Sequence, residues 1–174
     1  MKWKRVSKGV INEPIVEYLE KIFDEEMAKG YGIKVCIGTD SKRRGVGYQF
    51  ATAIVVALTE NIGKDKFGRD IHQGKGGMVI GGAYFDATQK KGKEGVKERM
   101  MKEVAKTIEI ACEISPLLDL YDIKLEIHAD INPDVRFDSN KALSEAVGYM
   151  LGMGYDFKVK PSAPAASNVA DKLC

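Results

Sequence analysis

The change of apolar period near residue 94 constrains this chain most. Before it lie three β-rich runs, Ile33–Gly38, Tyr48–Leu58 and Gly77–Phe85, and after it the spacing turns helical. Arg44-Gly45-Val46-Gly47 reads as a tight turn, so the first two runs should be antiparallel neighbours. The polar, glycine-rich stretch Thr59–Gly76 reads as a long surface loop. From Glu94 to Ser115, Val96, Met100, Met101, Val104, Ile108, Ala111 and Cys112 make one apolar face, and Pro116 follows the expected end of the helix.

Lys124–Asp130 alternates as a fourth strand, Asn132–Asp138 reads as a loop and Ser139–Met153 as a helix. Tyr155–Lys160 is a fifth short strand, Pro161–Pro164 breaks the chain, and Ala165–Leu173 reads as a last short helix. At the other end, Asn12 can cap a helix from Pro14. Ile15, Leu19, Ile22, Phe23 and Met27 form its apolar face, and Gly30 and Gly32 end it. The order α-βββ-α-β-α-β-α predicts an α/β fold: a five-stranded mixed sheet, three strands antiparallel and two added in parallel through crossovers, flanked by helices. The 174 residues suit one domain, 1–174, with 1–32 a helical extension packed on it.

No apolar run has the length of a membrane span, and the basic start Met1-Lys2-Trp3-Lys4-Arg5 has no apolar core behind it, so a cytoplasmic protein is expected. Cys36, Cys112 and Cys174 have no metal-ligand spacing; the first two read as buried thiols. The net charge of +2 decides nothing about partners, but Lys42, Arg43 and Arg44 cluster after a strand, and Lys90, Lys91, Lys93 and Lys97 surround a helix start. Both groups can track phosphates or simply be solvated.

Four acids stand out by position. Asp40 lies just beyond the first strand and Asp130 at the end of the fourth; as parallel neighbours these strands would deliver both carboxylates to one sheet edge. Carboxylates held together need a cation between them, and an all-oxygen set suits Mg²⁺ or Mn²⁺. Two such ions can activate water and stabilise the leaving oxygen in phosphodiester hydrolysis. A third acid should come from the long helix. At 100° per residue Glu103 borders the core face beside Thr107, while Glu98 lies at the other border of the polar arc; Glu103 is preferred, Glu98 is the alternative, and Glu94 is weaker. Asp171 sits among Ala165, Ala166, Val169 and Ala170, a small apolar set that lets the last helix lie close to the sheet. Ser41, Lys42, Asn132 and Lys172 are candidate substrate contacts, since each neighbours one of the acids; the two lysines can neutralise a phosphate or pair with the acid beside them. His128 faces away from Ile127 and Ala129 and reads first as a structural residue.

Gly38-Thr39-Asp40-Ser41-Lys42, His128-Ala129-Asp130-Ile131-Asn132 and the tail Lys160–Lys172 resemble the YkuK-type family of the ribonuclease H-like superfamily over roughly Ile33 to Lys172. The resemblance implies an aspartate on the first strand (Asp40), a glutamate on the helix after the third (Glu103 or Glu98), an aspartate ending the fourth (Asp130) and a last one on a C-terminal helix (Asp171). It implies a metal-dependent nuclease acting on nucleic acid. A protein that keeps the fold and binds nucleic acid without useful catalysis is the alternative. An actin-like phosphotransferase needs two lobes and a glycine-rich nucleotide loop after a strand, and neither is present.

Overall fold

The structure is a computed structural model that describes residues 1–87, 92–129, 148, 152, 155–159 and 162–174, with the backbone alone over 92–94 and 166–167. Seven strands form one sheet: β1 (Lys2–Arg5), β2 (Gly9–Val10), β3 (Gly32–Arg44), β4 (Gly47–Lys64), β5 (Asp70–Asp86), β6 (Leu125–Ala129) and β7 (Asp156–Val159), in the order β2-β1-β5-β4-β3-β6-β7. The antiparallel meander β3–β4–β5 is as expected, and β6 and β7 add in parallel on the β3 side. The five-strand expectation is short by the hairpin β1–β2, which extends the free edge of β5. Residues 1–32 are therefore a hairpin followed by a helix, α1 (Ile15–Ala28), rather than a helical extension alone. Of Lys2, Trp3 and Lys4 only Trp3 is buried, and one inward residue makes no pattern that a sequence reading can find. Pro14, with no side-chain cap, precedes α1 in place of the expected Asn12 cap.

Two more boundaries move. The stretch Thr59–Gly76 is mostly strand: β4 and β5 continue as a two-stranded ribbon to Lys64↔Asp70. Residues 70–77 are exposed on both faces, so no apolar alternation marks them. The turn holds the register instead. Asp65 Oδ1 accepts the N–H groups of Phe67 (2.8 Å) and Arg69 (3.0 Å), and Asp65 N–H donates to the Arg69 carbonyl at 2.8 Å. Gly68, at φ +77°, supplies the left-handed residue such a turn requires. Gly32 pairs with Thr59 and Asp40 with Ala51, so the ribbon leaves from the end of β3 opposite Asp40.

The helix α2 spans Gly92–Leu120 and runs through Pro116 rather than ending before it. A helical proline costs roughly 3 kcal/mol. Just past it Leu117 and Leu118 are buried in the core, each contributing about 1.5–3 kcal/mol, enough to carry the helix on. Ser115 Oγ also donates to the Ala111 carbonyl at 2.7 Å, and Asp122 at φ 53° turns the chain toward β6. Within α2, Val96 and Cys112 are exposed, against expectation, while Met100, Val104 and Ala111 are buried. Of the helix expected over Ser139–Met153, only Gly148 and Gly152 are described, and both are helical; the loop Asn132–Asp138 lies outside the described residues.

Alternation along β3 separates two layers. Val35 and Ile37 join Ile54, Val56, Ile80, Leu125 and Ile127 under α1 and α2. The opposite face is built from small residues, Gly38, Ala53 and Gly81 lying side by side across β3, β4 and β5. Over it lies the C-terminal helix, π-helical over Ala165–Ala170 and α-helical over Asp171–Leu173. A Cβ at Gly81 would stand 2.5 Å from Leu173 Cδ1, so this face admits the helix only because it is bare.

His128 pins that helix. Its buried Nδ1 accepts the Ala165 N–H at 3.1 Å, and Nε2 lies 3.3 Å from Glu126 Oε2. Nδ1 must therefore be unprotonated and Nε2 must carry the hydrogen, a neutral ring with one tautomer. Burial is the main cause holding its pKa below the ordinary 6.5, against the opposing pull of Glu126. A histidine pKa depressed by folding gives stability that is full above the unfolded value and is lost as pH falls through the folded one. Glu126, held below its usual range first by Lys158, titrates at lower pH and leaves that window clear. Urea unfolding of the wild type should weaken between pH 7.5 and pH 5 more than that of His128→Asn, which keeps an acceptor but cannot titrate. Parallel pH profiles for the two proteins would refute the pin.

Candidate active site

The site forms at the Asp40 end of β3. The described β3–β6 register reaches Thr39↔Ala129, and β3 and β4 stay paired to Arg44↔Gly47. Asp40 is thus inside a strand rather than beyond its end, and it is buried at 8% exposure. Its Oδ1 turns back to accept the N–H of Ser41 at 2.8 Å.

Residues 39 and 41 face α2. The hydroxyls of Thr52, Thr39 and Thr107 form a chain, with spacings of 2.8 and 2.9 Å, and Thr107 Oγ1 also lies 2.9 Å from the Glu103 carbonyl. All three threonines are buried, so each hydroxyl needs its partner. This chain fixes the turn of α2 that carries Glu103. One step along β3, Ser41 Oγ donates to Glu103 Oε1 at 2.5 Å. Glu103 is 7% exposed. The alternative acid, Glu98, points away to Lys102, 3.4 Å distant and itself bonded to Asp86.

A residue that sequence reading missed completes this side. Arg99, one helical turn before Glu103, directs Nη1 to the Ser41 carbonyl (3.1 Å), Ser41 Oγ (3.0 Å) and Glu103 Oε1 (3.2 Å). Its guanidinium lies 5.5 Å from the centre of the Tyr48 ring. The spacing of Arg99 and Glu103 is visible in the sequence, but the contacts to Ser41 on another element are not.

Residues 40 and 42 face the C-terminal helix. Lys42 Nζ reaches Asp171 Oδ1 at 3.2 Å, a half-exposed pair worth at most about 1 kcal/mol. Cys174 Sγ lies 3.3 Å from the Asp40 carbonyl, and Arg44 donates to the Cys174 carbonyl from Nε (3.1 Å) and Nη2 (2.8 Å). The Cys174 thiol is pushed up to about 12, first by burial and then by the charge of Asp40, with Asp171 and Glu103 adding to it. One thiol thus senses the negative charge of three of the candidate acids. Burial likewise raises Cys36 to about 11, so neither is a nucleophile near neutral pH; Cys112 is exposed.

Asp130 and Asn132, like Lys90 and Lys91, lie outside the described residues; Ala129, which precedes Asp130 in the chain, is placed opposite Thr39. Lys172 is exposed, as are Arg43, Arg44 and Lys97. Among the described residues no group of three or more His, Cys, Asp or Glu side chains is positioned to hold a metal ion. By donor type Asp40 and Glu103 are buried carboxylates, hard oxygen ligands of the kind Mg²⁺ and Mn²⁺ take, but they approach Ser41 differently, Asp40 at its N–H and Glu103 at its hydroxyl on the α2 face.

A family model described as Ribonuclease H-like matches residues 14–174. Comparison with curated proteins and with solved structures returned no match.

The threonine chain is open to a direct test. Thr107→Val keeps the shape and deletes the middle link between β3 and α2, leaving the Thr39 hydroxyl short of a buried partner. The expected loss of unfolding free energy is about 1–3 kcal/mol, read by urea denaturation. An unchanged midpoint would show that the chain does not hold α2.

Proposed function

This chain belongs to the ribonuclease H-like family, and on that footing we propose that it is a metal-dependent phosphodiester hydrolase acting on nucleic acid. The observation that carries the reading is that three consecutive residues of β3 bear on three of the acids, Glu103 on one face of the sheet and Asp40 and Asp171 on the other. Asp40 is itself the first, Ser41 holds Glu103, and Lys42 holds Asp171. Asp130 follows Ala129, whose register partner Thr39 precedes Asp40, and in this proposal it supplies the fourth carboxylate. A bound Mg²⁺ or Mn²⁺ would lower the pKa of a coordinated water and offset charge on the reacting phosphate.

The remaining work falls to the protein's own groups. Asp40 and Asp130 would hold the ion, and Ser41 keeps the Glu103 carboxylate in a single orientation. Lys42, Arg43 and Lys172, all exposed at this end of the sheet or its covering helix, would take the phosphates flanking the cut. Lys42 can exchange its weak pair with Asp171 for a substrate phosphate at little cost, because both side chains are about half exposed. No helix among the described residues is long and apolar enough to cross a membrane.

The test is a gel assay on single- and double-stranded DNA and RNA with Mn²⁺. Wild-type protein should cut at least one of these substrates and lose the activity to EDTA. Asp40→Asn should reduce cleavage to background while its far-UV circular dichroism stays that of the wild type. Salt-sensitive binding with no cleavage by clean wild-type protein would reject hydrolysis and leave a binding protein of the same fold.

A further inference from the structure

We propose that the sheet edge beside the start of α1 carries a separate binding site, one for the phosphate group of a small molecule, with Arg5 as its anchor. The proposal does not depend on the hydrolase reading. Its starting point is a row across the sheet: Ile37, Ile54, Ile80 and Arg5 are register partners on β3, β4, β5 and β1. The three isoleucines are buried in the core. Alternation puts Arg5 on that same face, two residues from the buried Trp3. A charge thus stands where the row calls for an apolar side chain. Arg5 is partly buried, and its Nε is wholly enclosed with no hydrogen-bond partner. Among the described residues no carboxylate pairs with the guanidinium. A cation so placed is costly until an anion meets it.

The anion has a place to sit. Arg5 lines a cavity of about 470 Å³, a size common for small-molecule sites, together with Lys8, Asn12, Glu13 and Tyr18. The lining is rich in donors: a guanidinium, an ammonium, an amide and a phenol. Its one described acid, Glu13, is already bonded to Lys21. This set exceeds what a carboxylate can accept and suits the oxygens of a phosphomonoester. The cavity flanks the start of α1, which has no side-chain cap, and the positive end of the helix dipole adds to the attraction. Lys2 and Lys4 alternate to the opposite face of β1, so neither extends the cavity into a basic track that a polymer's phosphates could follow. Strands β5 and β4 separate β1 from β3, so this place is distinct from the acids around Asp40.

The experiment is isothermal titration calorimetry and thermal melting of the full chain in EDTA, so that no metal ion at the acidic site can hold phosphate. The probes are inorganic phosphate, adenosine 5′-monophosphate and a single-stranded DNA oligonucleotide without a terminal phosphate. The first two should bind the wild type and raise its melting temperature. Arg5→Met should weaken both by about tenfold or more, the usual cost of losing a charge-assisted hydrogen bond. Lys8→Ala, at an exposed position, should weaken them in the same direction. If Arg5→Met does not fold, Lys8→Ala decides alone. No binding of either small probe would show that solvent serves the guanidinium, and would overturn the proposal. So would binding that the substitutions leave unchanged. Binding of the oligonucleotide alone, lost in the same variants, would overturn the small-molecule site and give the arginine to nucleic acid.

Discussion

Strand alternation at β3 is the constraint from which the rest follows. Consecutive side chains must point to opposite faces of the sheet, so residues 39 to 42 address two different helical layers in turn. Thr39 and Ser41 bind α2; Lys42 binds the C-terminal helix. A single residue of slip in the pairing of β3 with β4 would exchange these partners and turn Val35 and Ile37 out of the core. The apolar register and the arrangement of acids are therefore one and the same choice.

Burying charge in such a place is expensive unless each group is satisfied. The molecule meets that cost locally. Asp40 accepts a strand N–H, Glu103 accepts a hydroxyl and a guanidinium, and the threonine hydroxyls serve one another between the layers. The buried polar seam between β3 and α2 is thus almost wholly made of short side chains, which lose little rotamer freedom on folding. Longer cations come in from the rim, where Arg99 is anchored at its tip and Lys42 remains in contact with solvent.

What could be read from the chain divides along physical lines. The strands β3, β4 and β5 and the helices α1 and α2 were legible because each buries one face and so carries a period. The ribbon beyond Leu58 was not, because a two-stranded arm wet on both sides has no apolar signal, and its order depends on the Asp65 turn. Pro116 misled for the opposite reason: packing of Leu117 and Leu118 overrides the local rule. Glu103 was accessible to a helical wheel because it borders the core; Arg99 was hidden, since two of its acceptors belong to Ser41, 58 residues earlier. The cysteine expectation was right in direction for Cys36, whose thiol burial lifts, and wrong for Cys112, which looks outward.

The two halves of the Lys42–Asp171 contact stand 129 residues apart. Ribosomes add about 5–20 residues each second, so the strand emerges some ten seconds ahead of the helix that closes over it. Throughout that interval a nascent copy, lying beside its own messenger, presents Asp40 on a face with no cover and no Asp171. The face of β3 that carries Lys42 is thus completed by a segment made well after it.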